Sequence, residues 1–203
     1  MQKQFEIINH EIVYHGFFNL EKFQLRHSLF AGGWSEAVDR ELFRRNNCVG
    51  VLLYDPQRDE VVLLEQFRVG AMAEAETPEA SWLIEIVAGA MELGETPEAV
   101  AYREAEEEAG CPISELKLIS RFYTTPGGSS ELLSLYCGRV DTTSVGGIHG
   151  LGEEHEDIRV FTVSFAEAYR MVEQGVINSG IPIIALQWLA LNREQLRLEW
   201  ADA

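Results

Sequence analysis

Glu104, Glu107 and Glu108 lie in the run Tyr102-Arg-Glu-Ala-Glu-Glu-Glu-Ala-Gly-Cys111, and at 100° per residue a helix would gather them within an arc of about 100°. Carboxylates grouped this way supply hard oxygen ligands, the donor set that suits magnesium while leaving room for waters and substrate phosphates. Without a cation the cluster opposes folding. Like charges at i,i+4 cost a few tenths of a kcal/mol each, and Arg103 is the one basic residue between Glu92 and Glu108. A divalent cation reverses that sign. Taken alone, the same residues also fit a solvated acidic helix face, the commoner state of a glutamate run.

The flanks of the run set its conformation. Thr96 is a good N-cap, Pro97 suits the first helical position, Gly110 suits the position after the last turn and Pro112 forbids continuation, so the spacing predicts a helix over 97–109. Tyr102, Ala105 and Ala109 share the sector beside the carboxylates, and their mostly small side chains predict a helix lying close against a sheet. A hairpin precedes it, Val49–Tyr54 turning through 55–60 into Val61–Phe67, followed by a strand over Trp82–Val87. Beyond the helix, strands are expected at Leu116–Tyr123, Leu132–Val140 and Ile158–Val163, with helices at Phe165–Gln174 and Ile183–Arg193. Ser164 and Glu167 form a capping box for the first of these helices and Gly175 ends it. The pattern reads as an α/β/α layered sheet. Before it, Glu11–Phe18, a polar turn at 19–21, Lys22–Phe30 and Glu36–Phe43 read as a small antiparallel β appendage over 1–46, ahead of a main domain over 47–203.

Composition bounds the function. The chain has 203 residues, 46% hydrophobic and 24% charged, and can bury about 70% of its unfolded surface, enough for a sizeable core. Acidic residues outnumber basic ones 33 to 16, a net charge of −17, which disfavours nucleic acid and anionic membranes as partners. An anionic substrate would need local positive charge. Cys48, Cys111 and Cys137 fit neither a disulfide framework nor a thiolate zinc site, and buried free thiols in a reducing compartment are expected. With no secretory leader pattern and no bilayer-length apolar run, the expected location is cytoplasmic.

Gly89, five residues, Glu95, seven residues and Arg103-Glu104-Ala105-Glu106-Glu107-Glu108-Ala109-Gly110 together resemble the signature box of the Nudix hydrolases, which cleave nucleoside diphosphates linked to another moiety. Ala105, where a larger aliphatic residue is frequent, is a mild departure. The resemblance implies a Nudix-type α/β/α sandwich with a mixed sheet. It implies metal ligation by Glu104, Glu108 and the backbone carbonyl of Ala88, with Glu107 in the same cluster and Arg103 and Glu95 orienting the carboxylates.

Gln66-Phe67-Arg68, the loop Pro126-Gly-Gly-Ser-Ser-Glu131 and Ile183-Ile-Ala-Leu-Gln-Trp-Leu189 are similar to the ADP-ribose pyrophosphatases of that family, so the likeness spans nearly the whole chain. It implies that Arg68 meets a substrate phosphate and that Glu131 approaches the terminal ribose. The acidic, glycine-rich segment 145–157 resembles their closing loop, with Glu154 as the general base and Glu156 as a further metal contact; His149 and His155 are expected to be flanking polar surface. The implied activity is magnesium-dependent hydrolysis of ADP-ribose to AMP and ribose 5-phosphate, with manganese as a substitute ion. Other outcomes are a Nudix hydrolase for a nucleotide sugar or dinucleoside polyphosphate, or a nucleotide-binding module without turnover. The resemblance further implies a homodimer formed through residues 1–46, whose Phe17, Phe18, Phe23 and Phe30 need a partner surface.

Overall fold

The structure is a computed structural model and describes residues 2–152 and 155–200. It divides into two compact units, one of residues 1–47 and 122–133 and the other of residues 48–121 and 134–203.

In the first unit β1 (Phe5–His15), β2 (Asn19–His27) and β3 (Val38–Arg44) form an antiparallel sheet in that order. The polar segment Asn19-Leu20-Glu21, expected to be the turn, is instead the start of β2, and the chain reverses at Gly16–Phe18. The reason lies with Glu21. Its carboxylate is 7% exposed, accepts hydrogen bonds from Nε and Nη2 of Arg44 at 2.7 and 2.8 Å, and lies 2.9 Å from Nε2 of His10. The cross-strand cation draws a turn-like residue into the sheet. His10 in turn stacks on Phe23 with ring centroids 4.3 Å apart. Every residue of β1 is exposed, on both of its faces, including Phe5, Ile7, Ile8, Ile12, Val13 and Tyr14. Phe17 and Phe30 are 96% and 90% exposed.

The second unit is built on a mixed sheet. β4 (Cys48–Asp55) and β5 (Glu60–Phe67) pair only at the turn end, Tyr54 opposite Val61. They then diverge, and the segment expected to be one strand splits between them. β6 (Trp82–Glu85) pairs with β5, β7 (Val87–Ala90) pairs with β4, and the chain changes course at the buried Ile86. β8 (Glu115–Tyr123), β9 (Leu132–Arg139), β10 (Gly147–His149) and β11 (Ile158–Ser164) complete the order β10-β11-β5-β4-β9-β8. A short helix α1 (Val69–Met72) and a 3-10 turn at Pro78–Ser81 fill the β5–β6 connection, the second opening on Thr77-Pro78-Glu79, the same start as that of helix 97–109.

The helix α2 (Pro97–Ala109) has the predicted limits. The Thr96 hydroxyl accepts from the Ala99 amide, and Gly110 takes the left-handed conformation (φ 61°), so that its amide and that of Cys111 bond the carbonyls of Glu106 and Ala105. Val100, Ala101, Ala105 and Ala109 pack with Val49, Val51, Leu53, Val62, Leu64 and Val87 in one core. Tyr102, expected on the packing face, is 42% exposed because the buried arc runs from Val100 to Ala109 and ends just short of it. α3 (Phe165–Glu173) and α4 (Gly180–Glu199) pack on β4, β5 and β11, and α4 is longer at both ends than its expected 183–193. The alternation of β4 and β5 turns Leu52 and Leu63 away from the α2 side, giving the expected helix–sheet–helix layering. Cys111 and Cys137 are buried free thiols, while Cys48 is half-buried.

Arg44 and His10 hold the Glu21 carboxyl down at about 2, against an ordinary 4.5. A depressed folded-state pKa stabilises above the unfolded value and is lost as pH falls through the folded one. Hydrogen-exchange protection of β2 and β3 amides should therefore weaken between about pH 4.5 and pH 2, and Glu21→Gln should cost about 1–3 kcal/mol at neutral pH and flatten that slope. Unchanged protection in the variant would show that the pair contributes nothing.

Candidate active site

Two of the three helical glutamates are inside the packed face of α2, not beside it. Glu108 is 3% exposed and its Oε2 accepts the backbone N–H of Ala88 at 2.9 Å, tying the last turn of the helix to β7. The Glu104 side chain is 12% exposed and lies so close to the next residue of that strand that a Cβ on Gly89 would sit 1.7 Å from its Oε1. Only glycine fits there.

Arg103 ties the cluster together. Its Nε donates to Glu95 at 3.1 Å, one terminal nitrogen to Glu104 and Glu107 at 2.7 and 3.0 Å, and the other to the Ala90 carbonyl at 3.4 Å. Burial works against the Arg103 charge, but its bonds to Glu95 and Glu107 outweigh burial and hold the guanidinium above its ordinary value. Glu95 also accepts the Glu92 amide at 2.7 Å, and with Arg103 this keeps its carboxyl below the usual range. The fixed forks of a guanidinium suit this many acceptors, where a lysine would supply only a point charge.

The electrostatics are opposite one turn deeper. Burial raises the Glu104 carboxyl above its ordinary value, opposed by Arg103. Burial pushes Glu108 up to about 8, the Ala88 amide and the charge of Arg68 opposing, with the negative charges of Glu104 and Glu156 adding to the rise. Buried carboxylates that repel one another are short of positive charge. Their oxygens are the donor chemistry of a hard divalent cation, so the residues present fit such an ion. Among the described residues no three acidic or imidazole side chains already converge as a ready cage, and one arm of Arg103 holds Glu104 to Glu107.

The other expected site residues divide as follows. Arg68 follows β5 directly and its Nε donates to Glu85 on β6 at 2.6 Å, a partner that no local sequence pattern marks because it arises from strand pairing. Glu156 is half-buried, its Oε2 accepting the Leu151 amide at 3.3 Å. Glu131 belongs to the first unit, where it pairs with Arg45 at 3.1 Å and accepts the Thr124 hydroxyl at 2.9 Å. Glu153 and the expected base Glu154 lie outside the described residues. His149 is not simple polar surface. It is on β10, half-buried, with Nε2 3.1 Å from the Gly146 carbonyl and its ring over Gly110 at the end of α2.

The NUDIX domain pattern matches residues 44–178, two thirds of the chain and the whole of this arrangement. The chain belongs to the NUDIX family. It is 50% identical over 196 residues to an ADP-ribose pyrophosphatase of Escherichia coli (strain K12), covering 97% of this chain and 92% of that one. It is 45% identical over 199 residues to one of Haemophilus influenzae, covering 98% and 92%. A GDP-mannose pyrophosphatase of Cronobacter sakazakii is 38% identical over 152 residues, 75% of this chain and 78% of that one. A solved ADP compounds hydrolase superposes over 96% of this chain and 97% of its own with TM-score 0.70 at 20% identity, a likeness in fold. No described helix is long and apolar enough to cross a membrane.

The raised Glu108 carboxyl has a measurable consequence. Between its unfolded value of 4.5 and about 8 the metal-free folded chain binds more protons than the unfolded one, so stability in chelator should be greatest at the acid end of this window and fall as pH rises through it. Glu108→Gln should raise the metal-free Tm at pH 8 and flatten the slope between pH 5 and 8. A pH-independent Tm in the native chain, or a lower Tm in the variant, would contradict the assignment of repulsion to this carboxylate.

Proposed function

We propose that this protein hydrolyses the pyrophosphate bond of ADP-ribose to AMP and ribose 5-phosphate, with magnesium as the working ion and manganese as a substitute. One observation carries the reading: the buried carboxylates Glu104 and Glu108 stand in a chain alike over nearly its full length to the ADP-ribose pyrophosphatases. Glu104, Glu108, Glu156 and the Ala88 carbonyl would hold the metal. When bound, the ion neutralises phosphate oxygens and lowers the pKa of a coordinated water. Arg103 and Glu95 keep the carboxylates aimed, Glu107 completes the acidic cluster, and Arg68 takes a phosphate oxygen. Glu154 accepts the proton of the attacking water and Glu131 meets the terminal ribose. Charge on Arg68 together with the metal lets a chain of net charge −17 bind an anion.

Residues 47–203 form the hydrolase domain and residues 1–46 an appendage through which two copies pair. The apolar residues of β1, exposed on both faces, support that assembly, since large groups left in water cost about 1.5–3 kcal/mol each. The protein acts in the cytoplasm, where the buried thiols of Cys111 and Cys137 stay reduced.

Phosphate release in a phosphatase-coupled assay with ADP-ribose and GDP-mannose tests the substrate. ADP-ribose should be preferred, and a preference for GDP-mannose would move the chain to the nucleotide-sugar class. Chelator, Glu104→Gln or Glu108→Gln should abolish turnover. Glu154→Gln should lower kcat about 10²–10⁴-fold with substrate affinity retained, and normal turnover would place the base elsewhere. Light scattering should give twice the chain mass for the full-length protein and less after removal of residues 1–46.

A further inference from the structure

Gln66 is the second residue from the end of β5, and the pleat places it with Leu64 on the face that carries α2. It is 6% exposed, and its amide nitrogen is the one enclosed side-chain polar atom among the described residues that has no hydrogen-bond partner. A buried donor left unpaired is costly, and a methionine of the same shape would avoid the cost. The strand register gives the amide its neighbours. Glu85 is opposite Leu64, Leu83 is opposite Gln66, and the Arg68 amide bonds the Ser81 carbonyl one pair further on. The 2.6 Å bridge from Arg68 to Glu85 therefore spans the row of Gln66 and Leu83.

Glu85 is also the diagonal neighbour of Gln66, within reach of a long side chain, yet the amide does not bond it. The Glu85 carboxylate bonds Arg68 instead. Leu64, on the same face of β5, packs in one core with Ala105 and Ala109, the neighbours in sequence of Glu104 and Glu108, so this face leads to the buried carboxylates.

We propose that Gln66 is a further substrate-binding residue, whose amide donates to a phosphoryl oxygen of the pyrophosphate once that group has drawn Arg68 off Glu85. The inference rests on the reading of Arg68 as a phosphate ligand. In the free protein the Arg68–Glu85 bridge closes over the amide; in the complex Arg68 and Gln66, two residues apart in extended chain, share the anion.

The test compares native protein with Gln66→Met, which keeps shape and removes the donor. Expected are a metal-free Tm equal to or a few degrees above native, a KM for ADP-ribose raised about tenfold with kcat within about threefold, and calorimetric affinity for inorganic pyrophosphate with magnesium weakened about tenfold. A lower Tm would show that the amide already has a structural partner, and equal pyrophosphate affinity, or none for either protein, would show that it makes no phosphate contact; either overturns the proposal. If native protein failed to turn over ADP-ribose while the tenfold pyrophosphate difference held, the substrate reading would fall and the role of Gln66 would stand.

Discussion

Two carboxylates kept out of water at the junction of a helix and a strand are the constraint on which the second unit depends. Isolated buried carboxylates are among the most costly groups a fold can hold, and they persist only where geometry and compensating charge are fixed in advance. Each local feature of α2 serves that end. The Thr96 cap and the left-handed Gly110 fix both ends of the helix, Ala105 and Ala109 let it lie close to the sheet, and the missing side chain at Gly89 admits Glu104. Arg103 then compensates the outer acids, leaving Glu108 and the inner face of Glu104 short of positive charge.

Strand topology supplies the rest of the arrangement. Because β4 and β5 separate beyond their turn, the split segment of β6 and β7 can place Glu85 against Arg68 and the Ala88 amide against Glu108 within a few residues of one another. A single continuous strand could not pair with both. The change of course at Ile86 is therefore what joins the region around Arg68 to the acidic region.

What could be read from the sequence was whatever is encoded locally. Helix 97–109 is legible to the residue because its caps lie in the local sequence, and the resemblance carried by Gly89, Glu95, Arg103, Glu104, Glu107 and Glu108 points to the chemistry. Features set by partners distant in sequence were not legible. The turn at Gly16–Phe18 was missed because Arg44 and His10 make a strand of Asn19–Glu21. The break in 82–87 follows from two different pairing strands, and the Arg68–Glu85 bridge from a register that no pattern in either strand announces. Tyr102 was misplaced for a finer reason: a wheel gives sectors, while the edge of the buried arc depends on how closely the sheet approaches.

The first strand gives the protein a colloidal character of its own. β1 shows apolar side chains on both faces, in a chain whose net charge of −17 pushes copies apart. Those two influences have different ranges and different salt dependences. The repulsion is screened over about 10 Å at 0.1 M salt and about 3 Å at 1 M, whereas apolar burial needs contact and is strengthened by salts such as sulfate. Ionic strength thus sets the balance: dilute buffer loosens whatever covers the strand, and concentrated salt tightens it.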